Sequence, residues 1–199
     1  MTDADTIHIP VERHPLPPFL PDNTRVLMLG SFPPKRERWS MDFFYPNWLN
    51  DMWRIMGIVF YNDKDFFTDP VGRRFVQERV ESFLWAKGIA LYDTATAVRR
   101  LKDNASDKFL EVVEPTDLPT MLRRLPHCCA VVTTGQKATD VFCGTMGVEE
   151  PRVGACSPFE FEGRAMRFYR MPSSSRAYPL ALPLKAQAYA SLFRQENIY

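Results

Sequence analysis

Three short apolar runs constrain this chain more than any other feature: Val26-Leu27-Met28-Leu29, Ile89-Ala90-Leu91-Tyr92 and Ala130-Val131-Val132, each ending at a polar turn. A run of that length without polar alternation predicts a strand covered on both faces, as in a parallel sheet flanked by helices. The intervening segments carry apolar residues at helical spacing. Trp48, Leu49, Met52, Trp53, Ile55 and Met56 predict a helix that stops at Gly57. Asp69-Pro70 reads as an N-cap with proline in the first turn, opening a helix through Phe75, Val76, Val80, Phe83 and Leu84 to Gly88.

Further along, Thr116-Asp117 opens a helix over 118–125, and residues 137–146 return as another. The alternation in 159–164 turns at Glu162-Gly163, predicting a hairpin that feeds a strand over 166–171. A helix over 183–195 follows, while the polar residues 99–110 read as a surface loop. Strands alternating with helices predict an α/β fold, a three-layer sandwich with a short central, mainly parallel sheet between helices. Residues 1–23, proline-rich and without period, read as an extended arm, and 24–199 as a single domain.

With 199 residues, 45% of them apolar, the chain can bury one ordinary core. A formal net charge of +1 does not advertise a nucleic-acid binder, so any electropositive surface must be local. The cysteines Cys128, Cys129, Cys143 and Cys156 show neither a CxxC pair nor a histidine at metal-ligand spacing. They read as reduced thiols, and with no apolar run near the ~20 residues of a membrane span the expectation is a cytoplasmic protein without a metal.

Ligands of open α/β sheets bind outside the carboxyl ends of the strands. Two strand ends, Gly30-Ser31-Phe32-Pro33-Pro34 and Met171-Pro172-Ser173-Ser174-Ser175, are therefore expected to face one crevice. The first is not a P-loop, and no Gly-x-Gly-x-x-Gly or Gly-x-Ser-x-Gly occurs, which weighs against a nucleotide cofactor and a hydrolase elbow. His8, His14 and His127 fall in the arm or beside Pro126, away from the expected strand ends, which disfavours a histidine base.

What remains suits a flat heterocycle. Phe32 can stack on a base and Asp93 can read its edge, although an aromatic after a strand is more often core and an Asp there is as often a helix cap. Lys35, Arg36 and Arg38 interleave with Trp39, Phe43, Phe44 and Tyr45 as on a single-strand or flipped-nucleotide surface, or merely as a solvated loop. The rigid turn Pro172-Ser173-Ser174-Ser175-Arg176 offers hydroxyls and backbone N–H groups that can pinch a phosphodiester without reading sequence. Trp48, Trp53 and Trp85 read as core, and Arg123-Arg124 as a solvated helix face. Arg99, Arg100 and Lys102 follow Asp93 closely enough to be candidates for a phosphate contact.

Taken together, these segments resemble the uracil-DNA glycosylase superfamily, and most closely its hypoxanthine-DNA glycosylase (DNA-deoxyinosine glycosylase) branch. Four motifs carry the resemblance in order: Gly30-Ser31-Phe32-Pro33; Tyr45 followed by Asn50-Asp51-Met52-Trp53; Gly88-Ile89-Ala90-Leu91-Tyr92-Asp93; and Pro172-Ser173-Ser174-Ser175 with Lys185 beyond it. The match runs from about residue 24 to 196. It implies hydrolysis of the N-glycosidic bond of a flipped deaminated base, hypoxanthine first, with uracil or xanthine as alternatives, leaving an abasic site.

By the same resemblance Asn50 is the catalytic residue; Gly30, Ser31, Phe32, Tyr45 and Asp93 hold the base; and Pro172, Ser173, Ser174, Ser175 and Arg176 grip the DNA backbone and fill the gap. No cofactor is implied, and DNA is the partner of a monomeric enzyme. The chain departs from the branch at Pro34, at Pro46-Asn47-Trp48-Leu49, and at Arg176 and Tyr178. Met171 stands where ordinary uracil-DNA glycosylases carry a histidine, which removes that donor to a departing uracil. A damage-binding domain of the same fold without turnover is the alternative, and an α/β enzyme indifferent to DNA is a more distant one.

Overall fold

The computed structural model describes residues 9–102 and 107–199; His8, Asp103 and Asn104 lie outside the described residues. In chain order the elements begin with β1 (Val11–Arg13), β2 (Val26–Gly30), α1 (Met52–Tyr61), β3 (Thr68–Asp69), β4 (Arg74–Phe75), α2 (Gln77–Lys87) and β5 (Ile89–Asp93). They continue with β6 (Ala95–Arg100), β7 (Leu110–Pro115), α3 (Leu118–Arg123), β8 (Ala130–Thr134), α4 (Gln136–Met146), β9 (Ala155–Phe161), β10 (Arg164–Met171) and α5 (Leu182–Gln195).

The three apolar runs are strands β5, β2 and β8 of a central sheet with the order β5-β2-β8-β10-β9. The first four run parallel and only edge strand β9 is antiparallel. Every residue of β2, β5 and β8 is buried, because helices cover both faces. Helix α1 packs on α5 and α3 on α4. Phe60 of α1 bridges Phe83 of α2 and Phe193 of α5 at ring-centroid distances of 4.8 and 4.9 Å. Right-handed crossovers require this division, since β2 connects toward β5 and β8 in the opposite direction, toward β10. The reversal lies between β2 and β8, and outside the carboxyl ends of those two strands an α/β sheet opens its binding crevice.

The sandwich is as the sequence predicts, and the departures have physical causes. Helix α1 does not stop at Gly57 but runs to Tyr61, with Asn62 in the left-handed conformation as its cap. Gly57 serves another purpose: a Cβ there would meet the Asp63 carbonyl oxygen at 2.3 Å, so the glycine admits the returning chain. Asp69 caps no helix. It ends β3, and its carboxylate accepts the Gly72 N–H and the Arg74 guanidinium in a small hairpin, leaving α2 to begin at Gln77 without a side-chain cap.

The expected surface loop over 99–110 is corrected at both ends: Arg99 and Arg100 belong to β6 and Leu110 opens β7. Strand β6 is the middle strand of an antiparallel sheet β1-β6-β7, so part of the N-terminal arm pairs as β1, Val11 opposite Arg99. Trp53 is core, but Trp85 is half exposed and meets Phe19 of the arm edge-on at 5.7 Å. Among the described residues no helix is long and apolar enough to cross a membrane.

Candidate active site

A cavity of about 130 Å³ lies at the carboxyl ends of β2, β5 and β8. Gly30 and Asp93 end their strands in register, side by side. The Asp93 carboxylate folds over Gly30 so closely that a Cβ on residue 30 would sit 2.3 Å from Oδ1. Only glycine leaves room for that carboxylate at the crevice floor.

The other oxygen of Asp93, Oδ2, lies 2.9 Å from His14 Nε2, which donates to it when Asp93 is a carboxylate. Both side chains are buried, at 2% and 9% exposure. His14 follows β1 in the arm, and its Nδ1 contacts the Leu16 backbone. Its ring meets Phe32 edge-on at 5.3 Å and Tyr92 at 4.7 Å. The expectation that the histidines lie away from the strand ends is thus corrected for His14, because the pairing of β1 with β6 carries the arm back to the crevice.

Phe32 lines the cavity and at the same time seals a small apolar cluster with Ala95, Val98 and Leu110 under the second sheet. The core reading of this residue holds, and the same ring forms part of the cavity wall. Tyr45, in the left-handed conformation with φ of 50°, aims its hydroxyl at Thr134 Oγ1, 3.0 Å away. Burial, reinforced by the charge of Asp93, pushes its phenol well above the ordinary tyrosine range, so the hydroxyl stays protonated as a hydrogen-bonding group.

Ser31 donates its hydroxyl to Asp107 Oδ2 at 2.7 Å. Asp107 opens the 3-10 turn between β6 and β7 and joins the cavity lining, a placement the polar sequence around it did not signal. Burial pushes its carboxyl above the ordinary value, and the charge of Asp93 adds to that, against the pull of the Ser31 hydrogen bond, Arg100 and Lys137. Arg100 also lines the cavity, but it is spent on Glu12 and the Pro33 carbonyl and is only 7% exposed. Arg99 pairs with Glu111 on the surface.

Asn50 sits at the opposite wall, in the turn before α1. Its Oδ1 accepts the Met52 N–H at 2.8 Å, as N-caps do, while no described residue bonds its Nδ2. The side chain therefore offers the cavity donors rather than acceptors. Asn50 also bridges Ser175, and the Asp51 N–H donates to the Ser174 carbonyl, so the serine turn is stitched to the start of α1.

Asp51 completes the stitch. Its carboxylate takes Arg176 Nε at 2.9 Å and the 1%-exposed Lys185 Nζ at 3.2 Å, and Lys185 also donates to the Ser175 carbonyl at 2.7 Å. Ser173, Ser174 and Ser175 line the cavity, whereas Pro172 and Arg176 do not; the Pro172 carbonyl accepts Tyr189 Oη and Arg176 is held by Asp51. Ser173 Oγ accepts the Ser175 N–H, and Ser175 Oγ the Ala177 N–H. Each hydroxyl keeps its proton free to donate outward.

No protein-family model and no curated protein matches this chain. Its backbone does match the solution NMR structure of a protein from Methanosarcina acetivorans, provisionally named a uracil DNA glycosylase, with a TM-score of 0.63 at 22% identity over 94% of this chain and 99% of that one. The two chains share a fold. The local chemistry described above belongs to this chain's own residues.

In the loop after the first strand end, Arg36 stacks on Trp39 at 4.2 Å and pairs with Asp42, and the Trp39 indole donates to the Pro34 carbonyl. Phe43 and Phe44 are buried. The cations Lys35, Arg36 and Arg38 thus stay exposed while Phe43 and Phe44 join the core.

Proposed function

We propose that this chain is a monofunctional DNA glycosylase that hydrolyses the N-glycosidic bond of an extruded deaminated base, hypoxanthine first among them, and leaves an abasic site. The observation that carries the reading is one cavity, at the switch point of a glycosylase-like sheet, lined together by Phe32, Asp93, Asn50 and the turn Ser173-Ser174-Ser175. Its volume, about 130 Å³, is close to the ~150 Å³ that holds a benzene ring in an engineered cavity.

Base identity follows from donor and acceptor placement. Deamination turns the ring nitrogen of adenine N1 or cytosine N3 from an acceptor into an N–H donor. A carboxylate accepts only, so Asp93 favours hypoxanthine over adenine and uracil over cytosine; guanine already carries an N1–H, so this contact does not separate xanthine from its parent. The free amide hydrogens of Asn50 suit the base carbonyl on which charge gathers as the bond to C1′ breaks, and the sugar passes through an oxocarbenium-like state. The serine hydroxyls suit backbone phosphate. No lysine lines the cavity among the described residues, which favours hydrolysis over a Schiff-base route.

A second reading has a specific observation behind it. Asn50 Oδ1, the atom that would orient an attacking water by accepting its proton, is committed to the Met52 N–H. A protein that binds extruded bases without turnover would tolerate that commitment. Incubation with end-labelled duplexes carrying one hypoxanthine, uracil or xanthine, followed by alkali, separates the two. Product lost in Asn50→Ala supports the glycosylase; salt-dependent binding without product supports the sensor.

A further inference from the structure

Resting on the glycosylase reading, we infer that Asp107 is the acid that protonates the departing base, with Ser31 holding it in place. Ser31 fixes Oδ2 at 2.7 Å, and no described residue bonds Oδ1, which leaves one carboxyl oxygen of a cavity-lining residue for a ligand. Asp93, across the floor, is engaged by His14 and suits the acceptor role. Two carboxyl groups in unlike surroundings thus divide into one that burial holds toward its acid form and one that reads the base edge.

A purine leaves poorly as an anion and readily once a ring nitrogen is protonated. As the C1′–N bond breaks, its electron pair departs with the base and the Asp107 proton passes to a ring nitrogen. Water adds to the cationic C1′ and releases its proton to solvent, from which Asp107 recovers one. The step needs no co-reactant beyond water.

The groups that face Asp107 set its behaviour with pH. Asp93 from β5 favours the neutral acid, while the Ser31 hydroxyl, Arg100 from β6 and Lys137 from α4 favour the carboxylate; burial, the largest influence, favours the acid. The Tyr45 phenol, neutral, feels the Asp107 charge in turn.

The test is the single-turnover rate of hypoxanthine excision between about pH 5 and pH 9 for wild type, Asp107→Asn and Ser31→Ala. Wild type should slow as pH rises through the titration of Asp107. Asp107→Asn should be slower by about 10²- to 10⁴-fold, with that limb gone, while binding a duplex that carries a non-hydrolysable 2′-fluoro inosine as well as wild type does. Ser31→Ala removes a hydrogen bond to the carboxylate, so its limb should move to higher pH. An Asp107→Asn protein within about threefold of wild type, with an unchanged profile, overturns the inference and leaves the glycosylase standing. If Asp107→Asn does not fold, an unmoved limb in Ser31→Ala overturns it instead. Wild type silent on every base removes the glycosylase reading and this inference together.

Discussion

His14 Nε2 and Asp93 Oδ2 lie 2.9 Å apart, joining an arm residue to the end of a central strand 79 positions later in the chain. The contact fixes the carboxylate that the proposed mechanism uses to read the base edge. His14→Ala should fold with a lower melting temperature, because it loses the ring packed on Phe32 and Tyr92, and it should slow single-turnover hypoxanthine excision by up to about 100-fold, the scale of a misplaced reacting group. His14→Gln, which retains a donor, should recover part of the rate. A structural role alone would lower the melting temperature of both variants and restore neither rate.

Gly30→Ala probes the same carboxylate from below. The new Cβ would fall 2.3 Å from Asp93 Oδ1, so the side chain must swing away or the strands must part. The expected outcome is a folded protein whose excision rate falls on the order of 10²-fold while its affinity for undamaged duplex is unchanged. Rates and filter-binding isotherms on one preparation check it.

Asp107→Asn also has a stability signature. Burial raises the Asp107 carboxyl above its unfolded value, so ionisation is harder in the folded protein. Wild type therefore loses stability as pH climbs from the ordinary aspartate range to the folded pKa, and the deficit is complete above it. The Asn variant should melt at a higher temperature than wild type near neutral pH, with the gap closing as pH falls through the ordinary aspartate range. Paired thermal melts across pH give the answer.

Lys185 is a buried cation whose partners are the Asp51 carboxylate and the Ser175 carbonyl. Lys185→Met leaves Asp51 with Arg176 alone and strips the serine turn of its anchor. Removing one partner of a buried pair costs about 3–5 kcal/mol, and the exposed Arg176 should hold the loss near the lower figure. Urea unfolding measures it, with weaker binding to abasic duplex expected alongside.

The parts of the fold that were legible in the sequence share a cause. Strands β2, β5 and β8 are buried on both faces, so their runs are continuous and apolar. Gly88 and Gly147 cap helices in the left-handed conformation, and the Asp117 carboxylate accepts the Thr120 N–H. These are local signals with local causes. Strand β6 was hidden because register shifts between Ala95, Ala97 and Val98 break its alternation, and because its end, Arg99-Arg100, is charged. Helix α2 starts without a capping side chain, so the Asp69-Pro70 signal was the stronger one although it belongs to a turn.

At the site, Gly30, Asp93, Asn50 and the serines stand beside recognisable strand ends and turns. His14 and Asp107 had no such marker. The first reaches the cavity through an arm that pairs with a strand the sequence concealed, and the second through a short turn inside what reads as a polar loop. Both depend on contacts between distant segments, for which residue spacing holds no trace.

The measurement that bears most directly on the account is alkali-revealed strand cleavage of a hypoxanthine-containing duplex after single-turnover incubation with wild type and Asn50→Ala. The account predicts an abasic site formed by wild type and a rate lower by about 10²-fold or more in Asn50→Ala. Excision by Asn50→Ala at the wild-type rate, or no excision of any deaminated base by wild type, would contradict it.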